Sequence, residues 1–350
     1  MTTANPHETQ VDRVPTVAVL VPCYNEEVTI AAVVRDFRRV LPDATVYVYD
    51  NNSADATVAE ARAAGAVVRT ETMQGKGNVV RRMLADVDAD VFIMVDGDGT
   101  YDPAIAPTLV ELVAQGGNDL VNASRVPVHQ NAYRRGHELG NRFLTGSVRR
   151  LFSREVSDML SGYKAVSRRF AKSFPVFSSG FEIETEITIH ALDLRIPMYE
   201  VPGDYYERPD GSESKLNTYS DGLRISRLIV NLVRQSRPLF FYSTIGALLT
   251  LACLVLGVPL VVTFVHTHTV PRFPTAFLIV GLMVLAALCY TMGLIVDAVT
   301  RGRRETIMLQ YLAVPGPLHG FAIPVEPGSA GVGIAVRDER AVPITRVGTN

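Results

Sequence analysis

Residues 91–100 have the sequence VFIMVDGDGT, in which five apolar residues lead directly into two carboxylates separated by one glycine. The apolar part predicts a buried β-strand, and it places Asp96 and Asp98 in the loop where this strand ends. The glycines let backbone or a ligand come close. Two hard oxygen ligands with room for water suit Mg²⁺ or Mn²⁺, which commonly also hold substrate phosphates. An Asp-Gly hairpin turn is the alternative interpretation of this loop.

The segment from residue 16 to 125 alternates short β-rich stretches with helical patterns, which is typical of an α/β sheet. The predicted strands are 16–21, 45–49, 67–69, 91–95 and 119–123, and the predicted helices are 26–40, 56–64, 77–85 and 103–115. Polar loops follow the strands repeatedly, and open α/β sheets bind ligands at the carboxyl ends of their strands. We therefore expect a nucleotide to bind at this edge.

Three polar motifs fall at the same edge. The first, VPCYNEE at 21–27, offers Tyr24 as a face for a base, although an acidic helix start explains Glu26 equally well. The second, DNNSAD at 50–55, offers a carboxylate to a base or ribose, or simply caps the next helix. The third, GKGN at 75–78, is a flexible cationic loop that lacks the complete P-loop pattern. Each motif alone is a weak signal.

Two uncharged apolar stretches, 238–265 and 273–296, each exceed the roughly 20 residues that cross a bilayer. Only residues 266–272 lie between them, so the sequence predicts a transmembrane hairpin. Arginines flank the hairpin on both outer sides: Arg224, Arg227, Arg234, Arg237, Arg301, Arg303 and Arg304. The link contains a single Arg. The positive-inside rule then places both ends, and the large N-terminal domain, in the cytoplasm. We expect a multi-pass protein of the inner (plasma) membrane.

Two amphipathic segments, 141–152 and 221–237, are predicted to be helices. Packing on the core is the simpler interpretation of the first, whereas the second is expected to lie among lipid headgroups. The predicted organisation has five parts: a disordered N-terminus (1–14), a catalytic domain (15–220), a juxtamembrane amphipathic helix (221–237), a hairpin (238–300, with spans at about 238–265 and 273–297) and a cytoplasmic tail (301–350).

Composition excludes several classes of protein. With 34 basic and 36 acidic residues, the chain has no global nucleic-acid-binding surface. Its three cysteines have no metal-ligand spacing and suggest no disulfide framework. Residues 1–14 are polar and lack the hydrophobic core of a cleaved signal peptide.

Taken together, these motifs resemble the family 2 glycosyltransferases of GT-A fold, whose Rossmann-like domain binds a nucleotide-sugar. The matching stretches are 21–27, 50–55, 75–78, 96–102, 158–164 and 208–215. The appended hairpin resembles the membrane-bound polyprenyl-phosphate glycosyltransferases, such as dolichyl-phosphate mannose synthases and undecaprenyl-phosphate glucosyltransferases. The resemblance covers roughly residues 15 to 240 together with the hairpin.

The resemblance implies a role for each matching residue. The donor nucleotide-sugar would contact Pro22, Tyr24, Asn25, Glu26, Asp50, Asn51, Lys76, Asp96, Gly97 and Ser214. The catalytic set would be Asp98, Asp158, Arg208 and Lys215, with Asp96 and Asp98 also holding Mg²⁺ or Mn²⁺. Two departures stand out. Asn51 replaces the family's usual second acid, and Lys164 replaces an arginine, so that a point charge takes the place of a bidentate fork.

The implied reaction is a metal-dependent, inverting transfer of one sugar to polyprenyl phosphate at the cytoplasmic face. A UDP-sugar is favoured as donor, with GDP-mannose as the alternative. A phosphate nucleophile is mostly dianionic at neutral pH and needs no proton removed. We therefore predict that Asp158 orients the acceptor or supports a cation. The basic residues expected to offset the dianion are Arg142, Arg149, Lys164, Arg208 and Lys215.

Two other functions compete with this reading. A processive polysaccharide synthase is disfavoured because the chain has no tryptophan for the polymer-holding motif of those enzymes, and one hairpin is too small for a polymer channel. A catalytically inactive membrane scaffold or regulator is the alternative from another class, but both acids of the pair and the 208–215 loop are intact. Small residues such as Gly246 and Gly281 could also pack the hairpin into a homo-oligomer.

Overall fold

The computed structural model describes residues 14–128, 156–180, 182–209, 234, 237–270 and 272–316. These residues fall into two compact units, one within Met1–Thr218 and Met308–Asn350 and the other within Tyr219–Ile307. Several predictions lie outside the described residues. They concern Ser214, Lys215, Arg142, Arg149, the segment 141–152, nearly all of 221–237, the tail after residue 316 and the first 13 residues.

The first unit is built on a seven-stranded mixed sheet. Its strands are β1 (Val17–Cys23), β2 (Thr45–Asp50), β3 (Val67–Thr70), β4 (Val91–Met94), β5 (Leu120–Pro127), β6 (Lys164–Ser167) and β7 (Met198–Tyr205). Their order across the sheet is β3-β2-β1-β4-β6-β5-β7. β1 pairs in parallel with both β2 and β4, and β6 is antiparallel to β4 and β5. This is the α/β architecture that the strand pattern predicted.

Helices join and cover these strands. They are α1 (Ile30–Val40), α2 (Thr57–Ala63), α3 (Lys76–Asp86), α4 (Ala106–Ala114, preceded by a 3₁₀ turn at Pro103–Ile105), α5 (Arg168–Ser173) and α6 (Ile183–Asp193). The apolar face of α1 carries Ile30, Val33, Val34 and Phe37, all buried against the sheet. β4 is buried along its whole length, as expected for a central strand covered on both faces. Each predicted strand and helix of residues 16–125 is present, with shifted ends.

The predicted start of the first helix at residue 26 was wrong by four residues. Asn25 has a left-handed backbone, with φ of 53°, and its N–H donates to the hydroxyl of Ser53 at 2.9 Å. The N–H of Glu26 donates to the hydroxyl of Thr57 at 2.8 Å. The chain leaving β1 is thus fastened to the loop after β2, and regular helix begins only at Ile30.

Two strands, β6 and β7, were missing from the strand prediction. β6 has only four residues, and β7 lies at the edge of the sheet. β6 follows the polar 158–164 motif, which the sequence analysis did not interpret as leading into a strand. The antiparallel insertion of β6 between β4 and β5 places Lys164 opposite Met94. The 158–164 motif therefore lies beside the loop that carries Asp96 and Asp98 (the acidic loop), although more than sixty residues separate the two along the chain.

A helical hairpin is formed by α7 (Pro238–Thr267) and α8 (Phe273–Ala313), and all but the last six residues of α8 belong to the second unit. Both helices are long and apolar enough to cross a membrane: each contains an 18-residue stretch, with mean hydropathies of 2.6 and 2.4, in which few residues are buried. They pack closely at Gly246, where a Cβ would lie 3.0 Å from the ring of Tyr290. α8 continues as helix well beyond residue 297, past the end of the predicted span.

Candidate active site

The acidic loop after β4 is held from several sides. Asp98 is only 4% exposed, and its Oδ1 accepts hydrogen bonds from the hydroxyl and the N–H of Thr100 at 2.7 and 3.2 Å. Its Oδ2 pairs with the guanidinium of Arg208 at 2.6 Å. Burial, reinforced by the adjacent charge of Asp96, raises the pKa of Asp98 above its usual value. β5 does not pair with β4, so the hairpin interpretation of this loop was wrong.

Gly97 and Gly162 allow the acidic loop to approach its neighbours. A Cβ at Gly97 would lie 2.7 Å from Sγ of Cys23, and the carbonyl of Gly97 accepts a hydrogen bond from the hydroxyl of Thr29 at 2.6 Å. A Cβ at Gly162 would overlap the carboxylate of Asp96. The N–H of Gly162 donates to the hydroxyl of Tyr101 at 2.7 Å. These contacts fix where Asp96 can lie.

Lys76, the first residue of α3, forms an ion pair with Asp96. Its ammonium contacts the carboxylates of Asp96 and Glu184 together. Burial alone would lower the pKa of Lys76, but the two carboxylates outweigh it and raise that pKa. The ammonium therefore stays charged at any physiological pH. Sequence analysis did not select Glu184, although an acidic residue within the FEIETEI stretch at 181–187 was a usable signal.

The two loops predicted to surround the nucleoside are joined to one another. The side-chain oxygen of Asn25 accepts from the N–H of Ala54 at 2.8 Å, and the buried carboxylate of Asp50 accepts from the N–H of Ser53 at 3.2 Å. Tyr24 remains 38% exposed, and Pro22 lines a small pocket beside Lys76 and Asp96. These predicted donor-site residues therefore cluster at one edge of the sheet.

The side chain of Asn51 holds the backbone of the loop after β3, a role that the sequence analysis did not predict. Its amide N–H₂ donates to the carbonyls of Glu71 and Met73 at 2.8 and 2.9 Å, and its oxygen accepts from the N–H of Gly75 at 2.7 Å. A carboxylate at this position could accept the bond from Gly75 but could not donate to the two carbonyls. Asn51 thus shapes the loop that leads into Lys76.

Asp158 is held by Arg125 at the end of β5. The guanidinium contacts Oδ2 and Oδ1 of Asp158 at 2.6 and 2.8 Å, and the N–H of Leu160 donates to Oδ1 at 3.1 Å. Burial would raise the pKa of Asp158, but the bonds from Arg125 outweigh it and lower that pKa. Arg125 was not selected from the sequence, because nothing in its local pattern pointed to Asp158.

Lys164 lies inside the domain. Its side chain is 1% exposed, and its ammonium donates to Oδ1 of Asn122 at 2.5 Å and contacts the hydroxyl of Thr188 at 3.4 Å. Burial lowers the pKa of Lys164 to about 8. The ammonium is thus enclosed by protein groups, whereas the sequence analysis placed Lys164 among the basic residues expected to offset the charge of the phosphate dianion.

The donor set of the acidic loop fits a divalent metal. No group of three or more His, Cys, Asp or Glu side chains with metal-site geometry occurs among the residues that the structure describes. Burial and then the charge of Asp96 raise the pKa of Asp98. A bound cation would offset the negative charge of both carboxylates. Mg²⁺ typically takes one or two carboxylates and completes its shell with water and substrate phosphates. Asp96 and Asp98 would hold it.

The mixed α/β sheet, with an acidic loop at the carboxyl ends of its parallel strands, is the architecture of a GT-A-like glycosyltransferase. The family model described as Glycosyl transferase family 2 matches residues 18–174. An uncharacterized protein from Shigella flexneri is 49% identical over 155 residues, which are 44% of this chain and 95% of that protein. The glycosyltransferase AglJ from Haloferax volcanii is 33% identical over 231 residues, 66% of this chain and 76% of AglJ. The chain belongs to glycosyltransferase family 2.

Two further similarities concern ligands. A protein named dolichyl-phosphate hexose transferase, from Haloferax volcanii, is 27% identical over 220 residues, covering 63% of this chain and 95% of that protein. The crystal structure of glucosyl-3-phosphoglycerate synthase from Mycobacterium tuberculosis in complex with Mn²⁺, UDP-glucose and phosphoglyceric acid matches with a TM-score of 0.52. It is 26% identical, over 63% of this chain and 80% of that structure. The predicted family and fold are confirmed.

Proposed function

We propose that this enzyme transfers a single sugar, with inversion, from a nucleotide-sugar to polyprenyl phosphate. The observation that carries the proposal is the meeting of Asp96, Asp98, Lys76 and Arg208 at the carboxyl edge of the sheet. A diphosphate needs a cationic environment of this kind, and the two carboxylates would hold a divalent metal that offsets its charge. The similarity to a dolichyl-phosphate hexose transferase supports a lipid-phosphate acceptor.

Mg²⁺ or Mn²⁺ bound by Asp96 and Asp98 would neutralise charge that builds on the departing diphosphate. Arg208 reaches the same place from the end of β7, and its guanidinium can hold phosphate oxygens in two-point contact. The structural match with an enzyme crystallised with Mn²⁺ and UDP-glucose supports a metal-dependent UDP-sugar enzyme. The donor nucleoside would lie against Tyr24, Asp50 and the loop shaped by Asn51.

The acceptor phosphate attacks the sugar without a general base, because its oxygens already carry negative charge at neutral pH. The geometry of Asp158 supports this interpretation. Both of its carboxylate oxygens accept bonds from Arg125, whose presence lowers the pKa of Asp158, so it is a poor proton acceptor. Its proposed role is to hold Arg125 at the acceptor side of the site.

The helical hairpin would anchor the catalytic domain to the membrane in which a polyprenyl phosphate resides. Two apolar helices of 30 and 41 residues, with mostly exposed side chains, support insertion into a bilayer. Arg301, Arg303 and Arg304 after the second span, and Arg234 and Arg237 before the first, favour a cytoplasmic location for both ends. We therefore propose a multi-pass enzyme of the plasma membrane that works at its cytoplasmic face.

The proposal is tested with the full chain purified in detergent. Radiolabelled UDP-glucose, UDP-N-acetylglucosamine and GDP-mannose are offered separately with undecaprenyl phosphate and Mn²⁺. Label is expected to move into the lipid phase with one donor, and this transfer should be lost in Asp98→Asn and retained in Asp102→Asn. GDP-mannose as the sole active donor would replace the UDP-sugar assignment. Binding of a nucleotide-sugar without transfer to any phosphate acceptor would contradict the enzymatic proposal and favour a scaffold.

A further inference from the structure

Glu184 lies next to the acidic pair but belongs to a different part of the fold. It is the second residue of α6, and its side chain is only 9% exposed. Its carboxylate contacts the ammonium of Lys76, which at the same time contacts Asp96. One positive charge is thus shared between two carboxylates, and one of these carboxylates belongs to the candidate metal site.

The backbone fixes Lys76 and Glu184 relative to each other. Gly75 has a φ of 126°, and a Cβ at Gly75 or Gly77 would collide with the carbonyl of Ser179 or Ser178. The N–H of Gly77 donates to the carbonyl of Ser179 at 3.1 Å. The turn that begins α3 and the loop that precedes α6 are therefore in direct contact, and Lys76 and Glu184 meet as a consequence of this contact.

Sharing the ammonium changes how much negative charge Asp96 can offer to a metal. An ammonium bound to Asp96 alone would neutralise that carboxylate and compete with a divalent cation for it. With Glu184 present, the ammonium is drawn towards a second carboxylate that needs a partner because it is buried. Asp96 then keeps part of its charge, and its second oxygen stays available as a ligand.

We infer that Glu184 is a positioning residue that raises the affinity of Asp96 and Asp98 for a divalent cation by holding Lys76. This inference rests on the proposed metal-dependent function. Glu184 acts through Lys76, and this route is distinguishable from a direct electrostatic attraction between Glu184 and the metal. The two routes predict different results when Lys76 is absent.

The experiment measures Mn²⁺ affinity in the absence of turnover. The full chain in detergent is titrated with Mn²⁺ alone, and free Mn²⁺ is followed by electron paramagnetic resonance. Glu184→Gln is expected to raise the dissociation constant about tenfold, the equivalent of about 1.4 kcal/mol. Glu182→Gln is the matched control: Glu182 is exposed and lies two residues before Glu184, so the Mn²⁺ affinity of this variant should stay within about twofold of wild type.

The Lys76→Met variant distinguishes an effect of Glu184 through Lys76 from a direct effect of Glu184 on the metal. If Glu184 acts through Lys76, adding Glu184→Gln to Lys76→Met changes the dissociation constant by less than about twofold. A tenfold loss that persists in this background would overturn the inference in favour of direct attraction. Glu184→Asp keeps the charge but withdraws it from Lys76, so it should also weaken binding. It serves in addition as the second variant if Glu184→Gln does not fold.

The result also separates this inference from the proposed function. Wild-type protein that binds Mn²⁺, with Glu184→Gln binding it equally well, would overturn the role of Glu184 and leave the metal-dependent reaction standing. Wild-type protein that does not bind Mn²⁺, even with UDP present, would contradict both.

Discussion

The guanidinium of Arg125 holds both carboxylate oxygens of Asp158, at 2.6 and 2.8 Å, across the gap between β5 and the turn that precedes β6. Asp158 is 4% exposed, so this pair is largely shielded from water. Removing one partner of such a pair leaves the other charged and poorly solvated, which costs more than the pair itself contributes. The contact therefore matters for both stability and the position of Arg125.

Asp158→Asn should lower the free energy of unfolding by about 3 kcal/mol, because Arg125 loses its charged partner. The rate of sugar transfer should also fall, and raising the pH should not restore it, because the proposed mechanism has Asp158 abstract no proton. Chemical denaturation and a pH–rate profile check these outcomes. The control is Asp88→Asn, which removes a similar two-point contact from Arg168 at a site where Asp88 is 64% exposed. It should cost less than about 1 kcal/mol. A pH rescue of Asp158→Asn would show that Asp158 is a base.

The same pair predicts a dependence of stability on acid. Because the native pKa of Asp158 is lower than the ordinary value of 3.8, the unfolded chain takes up this proton first as the pH falls. The stabilisation is complete at neutral pH and declines as the pH drops through 3.8 towards the native pKa. The difference in unfolding free energy between wild type and Asp158→Asn should shrink over that range. A constant difference between pH 6 and 3 would contradict this.

Lys164 should make the protein more stable as the pH rises through the alkaline range. Its native pKa is about 8, whereas its ordinary value is 10.5. Between these values the unfolded chain holds a proton that the native protein has released, so the free energy of unfolding increases with pH. Between pH 8 and 10.5 the free energy of unfolding of the wild type should rise by about 2–3 kcal/mol relative to that of Lys164→Met. Urea denaturation of both proteins at several pH values measures this rise. If the unfolding free energies of the two proteins change with pH in parallel, the pKa of Lys164 is not lowered in the native protein.

Gly162→Ala should damage the reaction more than the fold. The added methyl group would press on the carboxylate of Asp96, which must move away from its position beside Lys76. We expect at least a tenfold loss of transfer rate and weaker Mn²⁺ binding, with about 1–2 kcal/mol of lost stability. Gly302→Ala is the matched control, because a Cβ there has no neighbouring atom within 4 Å. Equal activity of the two variants would show that Asp96 tolerates displacement.

Asp98→Asn should reduce the transfer rate by about 100-fold or more, because the proposed metal site would lose one of its two carboxylates. Asp102→Asn is matched in chemistry and lies four residues away, where its carboxylate accepts from the N–H of Ala104 at 2.9 Å. It should retain activity. Removing metal with EDTA should abolish transfer in the wild type, and adding back Mn²⁺ should restore it. Full activity after EDTA treatment would contradict the role of the acidic pair as a metal site.

The strands β1 to β4 and the position of the acidic loop at the edge of the sheet were predictable because each strand carries its own signal. β1, β2 and β4 are short apolar stretches, each followed directly by polar residues, and parallel strands bring those ends together. The hairpin was predictable for a similar reason, since an uncharged stretch of more than 20 residues has few alternatives. In both cases the information lies in neighbouring residues of the chain.

The contacts that complete the site depend on residues far apart in sequence. No local sequence pattern predicts three of these contacts. They are Lys76 with Glu184, Arg125 with Asp158, and Gly162 with Asp96. They exist because β6 enters the sheet antiparallel between β4 and β5, and because the loop before α6 packs on the start of α3. The sequence by itself determined the family, the acidic pair and the apolar hairpin. Only the tertiary structure decided which charges meet, because burial makes a charge costly until folding supplies its partner.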